Sequence, residues 1–452
     1  MDMVDKYQRA KDYLDSFLDY EKISYFPYQP SFKLERMPIL LGYLRIPYQD
    51  LGAIHIAGTK GKGSTAQFLA YLLAGSGFKV GLFTSPHLFD FRERIQIVRS
   101  VKSKVGSSLI SKKDLSKIVE EFSPGLKNLK IPKKLGQITF FEVLTAVAFK
   151  YFLQKNVDFV ILESGLGGRL DSTNVVKPLA SIITHIGYDH TDKLGKKLAE
   201  IANEKAGIIK RNTPLICSPQ RPSSLKVIKD KCKSRSAPLF ILGRDFKTQN
   251  IRFSKKHTIF NFRFNGFTLK DLKIHLLGEH QVENASLALA TLFLLERKGI
   301  VKRRIDYKGG LRAARLPGRF EVVNKSPLTI IDIAHNASSF SALGRSLKRY
   351  FPGKKIILIF ACSQDKDAKR MLKQIDYSYL ILTGFNNPRS QDPLELKRIV
   401  GPGRVCLAKD IGEAWEKAGR KYRDKWVIVI SGSLFLVSEA KGALTIIRKR
   451  LS

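Results

Sequence analysis

The chain has 452 residues, with 79 Lys and Arg against 40 Asp and Glu for a formal net charge of +39, and 44% of its residues are apolar. That length exceeds one hydrophobic core and predicts two or three units of a globular enzyme. No apolar run approaches the roughly 18 residues that span a bilayer, the start Met1-Asp2-Met3-Val4-Asp5 lacks a basic-then-apolar leader pattern, and Cys217, Cys232, Cys362 and Cys406 are spaced for neither a C-x-x-C zinc site nor a disulfide framework, so a cytoplasmic protein is expected.

Strands rich in branched residues alternate with amphipathic helices, the pattern of parallel α/β sheets. The first strand, Ala53-Ile54-His55-Ile56-Ala57, runs into a glycine-rich turn and a helix over 65–74 that Gly75 and Gly77 end, and a second strand follows at 79–84. Thr139 and Glu142 stand three apart ahead of an apolar run and predict a capping box on a helix reaching about Gln154. Strands at 157–163 and 179–186 and a helix at 196–205 come next, so polar residues gather where strands end. Phe260, Phe262 and Phe264 alternate with polar neighbours and predict a small antiparallel β excursion with one exposed face. A helix over 281–297 closes a first domain of residues 1–298, with Lys298-Gly299 as its hinge. Strands at 328–333, 355–360, 379–383 and 427–430 make residues 299–452 a second, Rossmann-like α/β domain.

Between the first strand and its helix, Gly58-Thr59-Lys60-Gly61-Lys62-Gly63-Ser64-Thr65 reads as a phosphate cradle. Glycines let backbone N–H groups approach an anion, the helix N-terminus adds partial positive charge, Lys62 reaches terminal phosphates, and Ser64 or Thr65 would bind a magnesium ion. The pattern G-x-x-x-x-G-K-[ST] is not met in register, because residue 56 is Ile and Gly63 stands between Lys62 and the hydroxyl. Three further clusters end strands of the same domain: Thr84-Ser85-Pro86-His87, Glu163 with Gly165-Leu166-Gly167-Gly168-Arg169, and Asp189-His190. Together they bring hydroxyl, carboxylate and imidazole near a phosphate loop, a set suited to magnesium.

The basic charge would draw anions at long range, nucleic acid among them. It is dispersed, however, and Lys102-Ser103-Lys104, Lys112-Lys113 and Arg448-Lys449-Arg450 lack interleaved aromatics and read as solvated faces. No helix-turn-helix, RNP-like or finger pattern is present, and neither a specific nucleic-acid partner nor a membrane partner is expected.

Taken in order, these strings resemble the folylpolyglutamate and dihydrofolate synthases of the Mur ligase superfamily. The likeness rests on Ala57-Gly58-Thr59-Lys60-Gly61-Lys62-Gly63-Ser64, Thr84-Ser85-Pro86-His87-Leu88, Arg92-Glu93-Arg94-Ile95 and Gly165-Leu166-Gly167-Gly168-Arg169-Leu170-Asp171-Ser172-Thr173-Asn174. It continues through Asp189-His190-Thr191, Glu204-Lys205-Ala206-Gly207-Ile208, His280-Gln281, Asn284-Ala285, Leu316-Pro317-Gly318-Arg319, Asp332-Ile333-Ala334-His335-Asn336, Asp365-Lys366-Asp367 and Gly432-Ser433-Leu434. Lys60, Ser164 and the segment Asp332-Ile333-Ala334-His335-Asn336-Ala337 depart from the common pattern without removing a proposed ligand, and Gly384-Phe385-Asn386-Asn387-Pro388-Arg389 matches loosely.

The resemblance implies a two-domain Mur ligase-like architecture: an N-terminal P-loop ATPase-type parallel sheet and a C-terminal Rossmann-like domain. It implies that Gly61, Lys62, Gly63 and Ser64, within the loop from Gly58 to Thr65, hold the ATP phosphates. Asn284, Arg319 and Asp332 would contact ATP, with His335 a neighbour, and Ser85, Glu163 and His190 would bind magnesium. Lys205 would react with carbon dioxide to give a carbamate that supports a second ion, whereas its residue context alone reads as an ordinary lysine at a helix C-terminus. For a pteridine the resemblance points to Thr139, Phe140, Phe141, Leu170, Asp171 and Ser172, and a plain core role for Phe140 and Phe141 stands beside that reading.

The implied reaction uses nucleophiles from the substrates alone. A carboxylate of folate or dihydropteroate attacks the γ-phosphate of ATP, and L-glutamate displaces phosphate from the acyl phosphate, with Asp189 or His190 assisting proton transfer. Closure about the hinge would exclude water, and a monomer is expected. A nucleic-acid-stimulated ATPase and a cell-wall ligase acting on a nucleotide peptide are the alternatives.

Overall fold

Parallel pairing of short, buried, largely apolar strands requires both faces of a sheet to be covered, and helices cover them here. The structure, a computed structural model, describes residues 3–23, 26–401, 403 and 405–451. Met1-Asp2 and the side chains of the tail Arg448-Lys449-Arg450 lie outside the described residues.

The first sheet holds β1 (Ala53–Ala57), β2 (Val80–Phe83), β3 (Ile95–Val101), β4 (Lys104–Leu109), β5 (Phe159–Glu163), β6 (Ala180–Ile183), β7 (Leu215–Cys217) and β8 (Leu239–Ile241), in the order β4-β3-β2-β5-β1-β6-β7-β8. Strands β2, β5, β1, β6, β7 and β8 run parallel, while β3 and β4 form an antiparallel hairpin on the β2 edge. The basic string Lys102-Ser103-Lys104 is the turn of that hairpin, with Lys102 and Ser103 at φ +48° and +60°. Two successive left-handed residues match the right-handed twist of the flanking strands.

Every residue of β1 and of β5 is buried. The helix Phe140–Gln154 lays Val143, Leu144, Val147 and Phe149 into a core with Phe83, Val160 and Leu162, each such side chain contributing roughly 1.5–3 kcal/mol on burial. Its predicted capping box is present: Thr139 accepts from the Glu142 amide at 3.3 Å, and Glu142 accepts from the Thr139 amide at 2.8 Å. The helix Leu198–Ala206 gives Ile201 and Ala202 to a separate core with Ala57, Ile183 and Leu215.

Strands β9 (Phe246–Phe253), β10 (Thr258–Phe264) and β11 (Phe267–Ile274) form a three-stranded sheet, the expected β excursion, with Phe260, Phe262 and Phe264 buried along one face. The third sheet holds β12 (Glu321–Lys325), β13 (Leu328–Asp332), β14 (Lys355–Phe360), β15 (Tyr379–Leu382), β16 (Val405–Leu407) and β17 (Trp426–Ser431), in the order β12-β13-β17-β14-β15-β16. Only β12 pairs antiparallel in it.

Two compact units result: Met1–Asn250, Phe260–Lys273 and Val282–Ala314 make the first, and Ile251–Ile259, Ile274–Gln281 and Arg315–Ser452 the second. The chain leaves the first unit for the last time between Ala314 and Arg315, past the Lys298-Gly299 step. The intervening helix Tyr307–Ala313 packs on the helix Lys62–Gly75, where Gly310 meets Leu72 with no room for a side chain. Among the described residues no helix is long and apolar enough to cross a membrane.

Candidate active site

The glycine-rich loop leaves the carboxyl end of β1, a central strand, and turns into the helix Lys62–Gly75. Gly61 caps that helix at φ +90°, and a Cβ there would strike the side-chain amide of Asn284 on the helix Glu279–Arg297. A Cβ on Gly58 would strike the Thr184 hydroxyl just past β6. Both positions therefore need glycine, one for its left-handed backbone and both for close approach. The amides of Thr59 and Lys60 donate to the His185 carbonyl at 2.9 and 3.2 Å, and Thr59 Oγ1 donates to the Gly187 carbonyl at 3.1 Å. These bonds pin the loop to the segment after β6. The first amides of the helix have no intrahelical acceptor and are free for an anion.

Glu163, the last residue of β5, is 4% exposed. Lys62 Nζ lies 3.8 Å from its Oε1, the Ser85 amide donates to its Oε2 at 3.4 Å, and Gly63 lies against the same carboxylate. Lys62, Gly63, Ser85 and Glu163 are thus one group. Thr65 Oγ1, in the helix that follows the loop, and Ser164 Oγ, next to Glu163 in the chain, are buried without a hydrogen-bond partner.

Lys205 is 4% exposed, near the end of the helix Leu198–Ala206, and its Nζ donates to the Gly58 carbonyl at 2.9 Å. Burial, and next the charge of Lys62, push its pKa down to about 7, against the opposing pull of Asp189, Asp171 and Glu204. The amine is therefore available in its neutral form near pH 7. Asp189 is half-buried and His190 exposed; His190, at φ +48°, begins the short helix Thr191–Leu194.

The residues assigned to a pteridine divide by exposure. Thr139, Phe140, Asp171 and Ser172 are buried, while Phe141 and Leu170 are partly exposed. Asp171 Oδ2 accepts from the Gly165 and Leu166 amides at 2.8 and 3.0 Å, and its Oδ1 from the Thr173 amide and hydroxyl at 3.1 and 2.5 Å. Ser172 Oγ pairs with Thr145 Oγ1 at 2.7 Å. Burial pushes the Asp171 carboxyl up, and the donors around it oppose that shift.

In the second unit Asp332 ends β13 opposite Ser431 of β17. Its carboxylate accepts from the Phe320 amide at 2.8 Å and the Ala334 amide at 2.8 Å, and so shapes the loop that carries His335. His335 is exposed with Nδ1 3.0 Å from the Ile333 carbonyl, and Arg319 is half-buried. These residues stand at the carboxyl edge of the sheet, where such sheets bind ligands.

The sequence reading passed over Thr184 and His55. A polar pair directly after Ile182-Ile183 is a signal for Thr184, whereas His55, inside an otherwise apolar strand, has its partner Thr173 118 positions away and carries no local signal.

Among the described residues no group of three or more His, Cys, Asp and Glu gathers as a metal cage. One buried carboxylate beside a phosphate loop suits magnesium, which keeps waters and takes ligands from substrate phosphates, and does not suit a structural zinc. The unpartnered Thr65 and Ser164 hydroxyls fit the same conclusion.

Residues 56–292 match the Mur ligase middle domain, and residues 318–434 match the Mur ligase glutamate ligase domain. A dihydrofolate synthase/folylpolyglutamate synthase of Bacillus subtilis is 34% identical, over 92% of this chain and 94% of that protein. The folylpolyglutamate synthase of Mycobacterium tuberculosis complexed with ADP superposes with a TM-score of 0.86 at 28% identity, covering 98% of this chain and 99% of that one. A folylpolyglutamate synthase complex with AMPPCP and folate gives a TM-score of 0.80 at 28% identity, over 97% and 99%. The order of motifs, the two α/β sheets and these likenesses agree: the chain belongs to the dihydrofolate synthase/folylpolyglutamate synthase family of Mur ligases.

Proposed function

We propose that the protein is an ATP-dependent ligase that joins L-glutamate to a folate, to dihydropteroate, or to both, through an acyl phosphate, releasing ADP and phosphate. The observation that carries the reading is the group around the glycine loop: Lys62 beside buried Glu163, and buried Lys205 on the Gly58 carbonyl. The complexes of related synthases with ADP and with AMPPCP and folate support the same substrates.

The loop from Gly58 to Thr65 would hold the ATP phosphates, with Asn284 against it. Arg319, Asp332 and His335, at the edge of the third sheet, are assigned to the nucleotide by the family resemblance. Glu163, Ser85 and His190 would hold magnesium, and Lys205 as its carbamate a second ion; when bound, such ions neutralise charge on phosphate oxygens. A carboxylate oxygen of the folate forms a bond to the γ-phosphorus as the bond to ADP breaks, with the Lys62 ammonium offsetting charge on the phosphates. The neutral amine of glutamate then bonds to the acyl carbon, phosphate leaves, and Asp189, His190 or a phosphate oxygen takes the proton. Phe141 and Leu170 would face the pteridine, with Thr139, Phe140, Asp171 and Ser172 holding the wall behind them. Residues 1–298 would then carry nucleotide and folate, and residues 299–452 the glutamate-ligase function. We place the enzyme in the cytoplasm as a monomer acting on small molecules, without a nucleic-acid or membrane partner.

The test is incubation with ATP, magnesium, glutamate and either dihydropteroate or tetrahydrofolate. ADP and a glutamyl conjugate should appear together. Turnover confined to a cell-wall nucleotide peptide, or ADP release that depends on DNA or RNA, would refute the proposal.

A further inference from the structure

His55 lies in the middle of β1 and is 0% exposed, in the strand that launches the phosphate loop. Its Nε2 is 2.8 Å from Thr173 Oγ1, and its Nδ1 is buried with no hydrogen-bond partner. Thr173 Oγ1 is in turn 2.5 Å from Asp171 Oδ1. The carboxylate can only accept, so the single hydroxyl proton of Thr173 points to Asp171. The hydroxyl oxygen must then accept from His55. That assigns the ring proton to Nε2 and leaves Nδ1 bare, the form that buries no unpaired donor. The other carboxylate oxygen of Asp171 receives the amides of Gly165 and Leu166, two and three residues past Glu163.

We infer that His55 is a positioning residue: as the Nε2–H tautomer it donates to Thr173, which donates to Asp171, and this buried chain sets the turn that aims the Glu163 carboxylate. Asp171 and Thr173 act through the backbone after β5 and touch no reacting atom. Burial, and next the charge of Lys210, keep the ring neutral, so the direction of the chain does not reverse across the working pH range. The inference rests on the proposed role of Glu163 at magnesium, but the tautomer does not.

The tautomer is read first, by long-range 15N–1H spectra of histidine-labelled protein without nucleotide, His55 being assigned by the signal lost in His55→Gln. The expected result is a protonated Nε2 and an unprotonated Nδ1, unchanged between about pH 6 and 8. A protonated Nδ1 would overturn the inference whatever the enzyme does. Second, Thr173→Val should raise the magnesium concentration for half-maximal turnover about tenfold, the size of effect that outer-shell partners of metal ligands show. Thr173→Ser, which keeps the hydroxyl, should restore it. Equal magnesium titrations for Thr173→Val and wild type would also overturn the inference. A wild-type enzyme with the expected tautomer but no ligase turnover would instead refute the proposed function.

Discussion

Replacing Lys205 by Met should stabilise the protein while removing its activity, and the size of the gain should depend on pH in a defined way. Burial, and next the charge of Lys62, take Lys205 from the ordinary lysine value of 10.5 down to about 7 in the folded chain. At about 1.4 kcal/mol per unit, keeping Lys205 charged in the fold costs on the order of 5 kcal/mol. Below pH 7 both folded and unfolded chains carry the proton, and wild type bears the full cost. Between pH 7 and 10.5 the unfolded chain holds one proton more than the folded chain, so wild-type stability rises with pH by about 1.4 kcal/mol per unit. Above 10.5 the cost is gone. Met loses the bond to the Gly58 carbonyl, worth about 1 kcal/mol, so Lys205→Met should exceed wild type by about 3 kcal/mol at pH 7 and about 1 kcal/mol at pH 9. Urea denaturation of both proteins, free of nucleotide and in carbonate-free buffer, measures the difference at each pH. A difference that stays flat from pH 7 to 10, or a wild type more stable at pH 7, would refute the reasoning that Lys205 is buried against its own charge.

Lys62→Ala should lower turnover by about 100-fold or more by removing the cation that offsets phosphate charge, measured as steady-state ADP release. Glu163→Gln should raise the magnesium requirement about tenfold; an unchanged titration would remove Glu163 from the metal site. Arg36, 2% exposed, holds buried Glu142 at 2.8 Å as well as the carbonyls of Leu135 and Ser31. Arg36→Met should therefore destabilise the protein by about 3–5 kcal/mol, seen as an earlier urea midpoint, because it strands the carboxylate in the core.

Elements whose signal is local were legible in the sequence. The strand β14 falls on the residues expected for it, β1 and the helix after it straddle the glycine loop as its spacing requires, and the Thr139 and Glu142 box forms both its bonds. The hairpin of β3 and β4 was not legible. Its alternation is broken by Gly106 and serines, and its turn, Lys102-Ser103, uses left-handed non-glycine residues that sequence alone presents as a charged patch. At the candidate site the loop, Glu163 and Lys205 could be named from motif and resemblance, but the burial that lowers the Lys205 pKa is a tertiary fact. The same holds for Asp171. Its motif suggests a substrate contact, while its oxygens serve the amides of Gly165, Leu166 and Thr173 and the Thr173 hydroxyl. The links from His55 to Thr173 and from Arg36 to Glu142 join residues more than a hundred positions apart, a distance at which propensity and periodicity are silent.

The acyl phosphate is the step on which the proposed roles of Lys62, Asp189 and His190 in the reaction rest, and oxygen transfer tests it most directly. With substrate carrying 18O in the reacting carboxylate, 31P spectra of the released phosphate should show one 18O per phosphate, carried from the carboxylate when glutamate displaces the phosphoryl group. Unlabelled phosphate formed together with the glutamyl conjugate would contradict the account.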